Sequence, residues 1–198
     1  MKKNRLLNSA LFISNVLKYI FILLIAAMTF VLIHWHFSPS TYKNIAIVID
    51  KTGDTSYIWA NNAYLVAPDA TNPKINSNNK EWIQLTQINQ QSLYTHYVQT
   101  AGYFILLILI INQITNIIGS VKILETFRRD NCSAFRKIGF YCLAIALLTF
   151  FKWYEIESNY FMSVSLKPIP LSFALGAFIL AEIFKEGNKL YEAEQLTI

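Results

Sequence analysis

The chain is poor in charged side chains. Only 15% of its 198 residues are Asp, Glu, Lys or Arg, whereas 54% are hydrophobic. Soluble globular domains carry about 25% charged residues, so this composition excludes an ordinary soluble domain. The net charge of +5 comes from basic residues that flank long apolar runs instead of gathering on one polar domain. That distribution argues against direct nucleic-acid binding and favours a membrane protein.

The chain also lacks the common sequence motifs of catalytic and phosphate-binding sites. Its two cysteines, Cys132 and Cys142, lie in a basic segment and in an apolar run, where no disulfide is expected. The sequence contains no Gly-x-Ser-x-Gly, no His-Glu-x-x-His and no phosphate-binding loop. We therefore predict no enzyme activity, no catalytic residue and no cofactor.

The three histidines are the only candidates for a metal site. His34, His36 and His96 fall near the ends of two apolar runs, and imidazole binds zinc or copper. However, His34 and His36 are two residues apart, so on a helix they point to different faces. Because no acidic residue or cysteine accompanies them, we favour an interfacial role over metal binding.

Four apolar runs are long enough to cross a bilayer as helices. They predict a membrane all-α fold, a four-transmembrane-helix bundle with a small, partly β extracytoplasmic insert between helices 1 and 2. The predicted spans are residues 19–37, 98–120, 138–156 and 169–186. The first span lacks the Ala-x-Ala site of a cleaved signal peptide, so we expect it to remain as an anchor.

The segments between the spans differ in basic residues, and this difference predicts the orientation. The predicted cytoplasmic segments are residues 1–18, 121–137 and 187–198, and the predicted outer segments are residues 38–97 and 157–168. The start, the inner loop and the end of the chain hold ten basic residues between them, whereas the outer segments and their edges hold six. Basic residues are enriched on the cytoplasmic side of membrane proteins, so both termini are predicted to be cytoplasmic.

The insert contains the strongest strand signals of the chain. Ile45–Ile49 alternates between two faces, a Lys-Thr-Gly-Asp turn follows, and Tyr57–Trp59 comes next. This pattern predicts a β-hairpin. Met162–Leu166 alternates large apolar residues with serine, which predicts a further strand that could be added to the edge of the hairpin.

Amide side chains interrupt the second span. Asn112, Gln113 and Asn116 follow a very apolar stretch, and Asn112 and Asn116 share a helix face with Gly119. Amides in hydrocarbon need hydrogen-bond partners, so we expect this face to point into the bundle.

Charged residues recur where the second and fourth spans are predicted to leave the membrane. Glu125, Arg128 and Arg129 follow the second span, while Glu182 and Lys185 lie at the end of the fourth. A shared Glu-x-Phe-basic pattern is explained either by a duplicated helical hairpin or by similar demands at one interface. We expect Glu182 to pair with Lys185 locally, or with Arg128 or Arg129 across the bundle. The alternative is a proton or cation site, because carboxylates in membrane helices are often functional.

The end of the chain and its inner loop carry a resemblance to a known family. The segments concerned are Phe127-Arg-Arg, Arg136-Lys-Ile-Gly139, Pro170-Leu-Ser-Phe-Ala-Leu, Leu180-Ala-Glu-Ile-Phe-Lys-Glu-Gly187 and Glu194-Gln-Leu-Thr-Ile198. They resemble the bacterial four-span membrane family catalogued as domain of unknown function 2975. The chain departs from that family in the inner loop, which is shorter and has Asp130 where glycine is usual. The resemblance implies a multi-pass protein of the bacterial inner membrane with no established activity, and a small helix-turn-helix regulator as a cytosolic partner.

Two classes of function follow from these observations. The first is a non-enzymatic regulator or interaction protein that couples the extracytoplasmic insert to a cytoplasmic partner. The second is a small transporter or permeation subunit that uses the face of Asn112 and Asn116 together with Glu182. The lipid bilayer is a partner in both classes, and the oligomeric state separates them. A monomer favours the first, and a stable multimer favours the second.

Overall fold

A computed structural model gives the fold of the chain and describes residues 3–42, 46–50, 65–66, 80–84, 88–122, 129–156 and 159–195. Its four α-helices are α1 (Lys3–Phe37), α2 (Gln90–Lys122), α3 (Arg129–Phe150) and α4 (Pro168–Gln195), and a short 3-10 helix covers Pro39–Tyr42. Its strands are β1 (Ala46–Asp50), β2 (Leu65–Val66), β3 (Lys80–Gln84), β4 (Phe151–Ile156) and β5 (Asn159–Val164).

Each of the four helices is long and apolar enough to cross a membrane, so the four predicted apolar runs correspond to four helices of membrane-spanning length. The helices extend beyond most of the predicted limits. Helix α1 has 35 residues and α2 has 33, so each is about 50 Å long at a rise of about 1.5 Å per residue. The hydrocarbon core of a bilayer is only about 30 Å thick. Residues 3–18, predicted as a cytoplasmic or interfacial segment before the first span, belong to the same helix as that span.

Helix α3 lies earlier in the chain than predicted. It begins at Arg129, inside the predicted loop 121–137, and it ends at Phe150, inside the predicted span 138–156. Asp130 lies in its first turn, where a carboxylate interacts favourably with the helix dipole. At the other end, the aromatic residues of 151–156 favour a strand, and that strand replaces the last six residues of the predicted span.

Strands β4 and β5 form an antiparallel pair in which Phe151 lies opposite Val164 and Ile156 lies opposite Asn159. The strand predicted at Met162–Leu166 overlaps β5, but its partner is β4 and not the strand that contains Ile47. The predicted partner is therefore wrong. Closing a short connection costs less chain entropy than closing a long one, which favours pairing between neighbours in sequence.

Strand β1 is the central strand of a second sheet with the order β2-β1-β3. Ala46 pairs with Gln84 and Asp50 with Lys80 on one side, while Ala46 pairs with Val66 on the other. The predicted hairpin partner of this strand, Tyr57–Trp59, lies outside the described residues.

The chain divides into two compact units. The helical unit comprises Met1–Ile25, Ala101–Thr149 and Leu166–Ile198. The β unit comprises Ala26–Thr100 and Phe150–Ser165 and includes both sheets.

In the helical unit, α3 and α4 approach closely because small residues line their contact. Ala174 and Ala181 of α4 are each 1% exposed. On α3, a β-carbon added at Gly139 would lie 2.6 Å from the ring of Phe178. Small residues allow membrane helices to pack closely, and Gly139 leaves room for the Phe178 ring of α4 on α3.

Candidate functional site

Glu182 connects helices α3 and α4. Its Oε1 atom lies 2.6 Å from Nη2 of Arg136, and its Oε2 atom lies 2.9 Å from Nζ of Lys185. The two carboxylate oxygens thus bind two different cations, one on each helix. We call Arg136, Glu182 and Lys185 the ion-pair cluster.

The sequence predicted one of the two cations. Lys185 is the expected local partner of Glu182, three residues further along the same helix. The cross-helix partner is Arg136 and not Arg129, which is exposed at the start of α3. Arg128 and Glu125, the other predicted members of this cluster, lie outside the described residues.

The sequence does not predict the role of Arg136, because residues 121–137 are predicted as a loop. In a loop, the spacing of residues does not show which of them point the same way. On the observed helix, Arg136 lies four residues after Cys132 and three before Gly139, so the three share one face. Cys132 Sγ donates to the carbonyl of Ala181 at 3.2 Å, and Gly139 lies against α4 as well. Extending the helical pattern back to Arg129 would have placed Arg136 toward α4.

Aromatic rings pack beside the ion-pair cluster. The ring centroids of Phe135 and Phe184 are 4.8 Å apart, and those of Phe140 and Phe178 are 5.3 Å apart. Each pair joins α3 to α4, so the backbones that carry Arg136 and Glu182 are held at a fixed separation. The cluster is therefore preorganised by packing that does not depend on its charges.

The charged groups of the cluster remain accessible. The side chains of Arg136, Glu182 and Lys185 are 46%, 55% and 44% exposed. Water screens exposed ion pairs, and holding two long side chains together costs entropy, so a hydrated cluster contributes little to stability. Its charges are available to another molecule.

A second ion pair lies further along α4 and is confined to that helix. Lys189 Nζ is 2.7 Å from Glu186 Oε1. Within the part of the chain that the structure describes, Glu186 has no partner on another helix. Glu186 is thus a natural control for Glu182, since both bind a lysine three residues on but only Glu182 bridges two helices.

A polar cavity of about 510 Å³ lies between α2 and α3. Helix α2 contributes Gln113, Thr115, Asn116, Gly119 and Ser120, and helix α3 contributes Asp130, Asn131, Ser133, Ala134 and Lys137. We call this space the α2–α3 cavity. All of its lining residues belong to the helical unit.

Asn131 and Ser120 hold the two walls of the cavity together. Asn131 is only 2% exposed, and its Nδ2 donates to Ser120 Oγ at 2.6 Å. Ser120 Oγ in turn donates to the carbonyl of Ile117 at 2.9 Å. A hydroxyl has one donor and two acceptor positions, so both bonds form together. They tie the start of α3 to the last turns of α2.

The amides predicted to form a polar face occupy different environments. Gln113 and Asn116 line the α2–α3 cavity, whereas Asn112 does not. Asn116 is exposed, while Asn112 and Gln113 are half-buried. The cavity residues Asn131 and Ser120 were not singled out from the sequence, again because the start of α3 was predicted as a loop.

In the β unit, two of the three histidines bond to tyrosine hydroxyls. The Nδ1 atom of His34 lies 2.9 Å from Tyr42 Oη, and the Nδ1 atom of His36 lies 2.8 Å from Tyr94 Oη. His96 lies on α2. Across the described residues, no group of three or more His, Cys, Asp or Glu side chains is placed to hold a metal ion.

Strand β4 is attached to the start of α2. Asn89 caps this helix through Oδ1, which accepts from the backbone N–H of Gln91 at 3.1 Å. Nδ2 of the same residue donates to Glu155 Oε2 at 2.8 Å. The backbone N–H of Glu155 donates to Oγ of the fully buried Ser92 at 2.7 Å. These bonds fix the β4–β5 pair to one helix.

No protein-family model, no curated protein and no solved structure matches the chain. The function is therefore inferred from the ion-pair cluster, the α2–α3 cavity and the attachment of β4.

Proposed function

We propose that the chain is a non-enzymatic regulator or interaction protein of the bacterial inner membrane. In this proposal its insert is partly β and extracytoplasmic, and a cytosolic protein is held at the other end of the helices. The resemblance to domain of unknown function 2975 supports the bacterial location. The observation that carries the proposal is the bridge from Glu182 to Arg136, which joins two helices by accessible charges.

The proposed orientation places both termini in the cytoplasm. It is supported by the basic residues near the end of α2 and in the first turns of α3, among them Lys122, Arg129 and Lys137. Such residues are enriched on the cytoplasmic side. In this orientation the ion-pair cluster faces the cytosolic partner.

Coupling between the two sides uses the continuity of α3 with β4. Helix α3 ends at Phe150 and β4 begins at the next residue, so the proposed coupling runs along the continuous chain from β4 to α3. The bridge from Arg136 to Glu182 passes that movement on to α4. Shifts of packed helices by about 1–2 Å are a known means of transmitting a signal.

The exposed charges at the proposed cytoplasmic end of the helices indicate the kind of partner. Lys122 and Arg129 are exposed and basic, which favours a partner with an acidic surface. By family resemblance, that partner is a small helix-turn-helix protein. Nucleic acid would be bound by the partner and not by this chain.

The proposal is tested by extracting the intact protein from its native membrane in a mild detergent and measuring the mass of the complex. We expect one copy of the chain with a cytosolic protein bound. A stable homo-multimer that contains no cytosolic protein would contradict the proposal.

The second candidate function is permeation, and the polar α2–α3 cavity favours it. Gln113 and Asn116 line that cavity, but Glu182 does not and is bound to two cations instead. A permeation subunit reconstituted in liposomes should release a small trapped solute, and Asn116→Leu should slow the release. Liposomes that retain the trapped solute would reject permeation in favour of the regulatory function.

A further inference from the structure

The charges of the α2–α3 cavity are arranged in a definite order along helix α3. Lys137 lines it on the side of the apolar part of α3, and Asp130 lines it close to the start of the helix. We propose that the cavity binds the phosphoethanolamine headgroup of a membrane phospholipid, with the phosphate at Lys137 and the ammonium group at Asp130. This site is separate from the ion-pair cluster, and the proposal does not depend on the orientation or the partner proposed above.

The phosphate end of the cavity is rich in hydrogen-bond donors. Lys137 has no ion-pair partner among the residues that the structure describes, whereas the adjacent Arg136 is engaged by Glu182. The amides of Gln113 and Asn116 and the hydroxyl of Ser133 line the same space. An ammonium group and neutral donors around one space are suited to a phosphate, because charge-assisted hydrogen bonds to phosphate are strong.

The spacing of the two charges matches a zwitterionic headgroup. Asp130 precedes Lys137 by seven residues, so both lie on one face of α3 about 10 Å apart along its axis. Helical side chains lean toward the N-terminus, so the long Lys137 side chain reaches back toward Asp130. A separation of about two helical turns leaves room for a phosphate and an ammonium group between the two side chains.

The order of the two charged residues along α3 favours a lipid over a soluble phosphate ester. After Lys137, α3 is apolar from Ile138 to Phe150, so the phosphate position lies next to the part of the helix suited to hydrocarbon. The Asp130 position lies at the end suited to water. A phospholipid has the same order, with acyl chains, phosphate and amine in sequence. Basic pockets between membrane helices are known to bind lipid headgroups.

The cavity is large enough and already formed. Its volume of about 510 Å³ lies within the range of about 300–1,000 Å³ that is usual for small-molecule sites. The bond between Asn131 and Ser120 fixes its two walls before any ligand enters. A preformed site loses less entropy on binding than one that must be ordered.

The test uses the full-length protein in detergent and measures its melting temperature with added lipids. We expect phosphatidylethanolamine to raise it at lower concentration than phosphatidylglycerol or phosphatidylcholine. Lys137→Gln should weaken the response to phosphatidylethanolamine about tenfold, and Lys137→Arg should retain it. Asp130→Asn should abolish the preference for phosphatidylethanolamine over phosphatidylglycerol.

Lys122→Gln is the matched control, because Lys122 is an exposed lysine at the end of α2 that does not line the cavity. Its response should equal that of the parent. Should Lys137→Gln fail to fold, Gln113→Leu and Ser133→Ala remove other hydrogen-bond donors from the cavity lining. The proposal is overturned if these cavity variants bind phosphatidylethanolamine as the parent does. Equal stabilisation by glycerophosphoethanolamine or inorganic phosphate would assign the site to a soluble phosphate and reject the lipid.

Discussion

Phe178 of α4 lies directly over Gly139 of α3. A β-carbon at position 139 would come within 2.6 Å of the Phe178 ring, closer than real β-carbons approach other atoms. The ring has little room to move aside, since it also packs against Phe140 at a centroid distance of 5.3 Å. The close approach of α3 and α4 therefore depends on the absence of a side chain at Gly139.

We predict that Gly139→Ala destabilises the protein by about 1–3 kcal/mol, the usual effect of overpacking. Gly176→Ala on α4 is the control, because nothing lies within 4 Å of its added β-carbon. That control should be neutral or stabilising by up to about 1 kcal/mol, since alanine has the higher helix propensity. Melting temperatures in detergent provide the comparison, and equal shifts for the two variants would show that the contact with Phe178 is unimportant.

A second prediction concerns the attachment of β4 to α2. Ser92→Ala removes the acceptor of the Glu155 N–H, and a buried donor without a partner costs about 1–3 kcal/mol. Hydrogen exchange in the peptide 151–156 should therefore become faster. Ser172→Ala is the control, because its hydroxyl is exposed and bonds to the carbonyl of Pro168 in the same helix. Unchanged exchange in the Ser92 variant would mean that β4 is held by other contacts.

The proposed topology gives a third prediction. In a chain whose Cys132 and Cys142 are replaced by alanine, a single cysteine at Asn78 should react with an impermeant reagent from outside the cell. A single cysteine at Glu192, near the end of α4, should react only after the membrane is opened. Labelling of Asn78 only from the cytoplasmic side would reverse the orientation.

The four spans could be predicted from sequence because an apolar run of about 20 residues has one common outcome in a bilayer. The first and last residues of α3 could not be predicted in this way. The residues from Arg129 to Lys137 are polar enough to be predicted as a loop, yet they form the first turns of the helix. Trp153 and Tyr154 extend the apolar run, yet they form a strand. Composition determines whether a segment suits lipid, but it does not determine where the backbone changes conformation.

The same error explains what was missed at the site. Glu182 and Lys185 were predicted as a pair because both lie on one predicted helix, where a spacing of three residues implies contact. Arg136 and Asn131 lie in the segment predicted as a loop, so neither could be assigned to a face. Helix packing, and not a local motif, brings Arg136 to Glu182 and Asn131 to Ser120.

In the proposed function, the bridge between α3 and α4 controls how much of the cytosolic partner the chain retains. Glu182→Gln removes the charge that binds Arg136, while Glu186→Gln removes a charge that is also more than half exposed and whose ion pair stays within α4. Each change should alter stability little, since both pairs are exposed to solvent and screened by it. A difference between the two variants therefore reports on the bridge and not on folding.

The most direct measurement is the amount of cytosolic protein that cross-links to the chain in intact native membranes, compared for the parent, Glu182→Gln and Glu186→Gln at equal membrane levels. We predict that the parent and Glu186→Gln retain the same cytosolic protein, and that Glu182→Gln loses most of it. Equal retention by all three, or no cytosolic protein with the parent, would contradict the account.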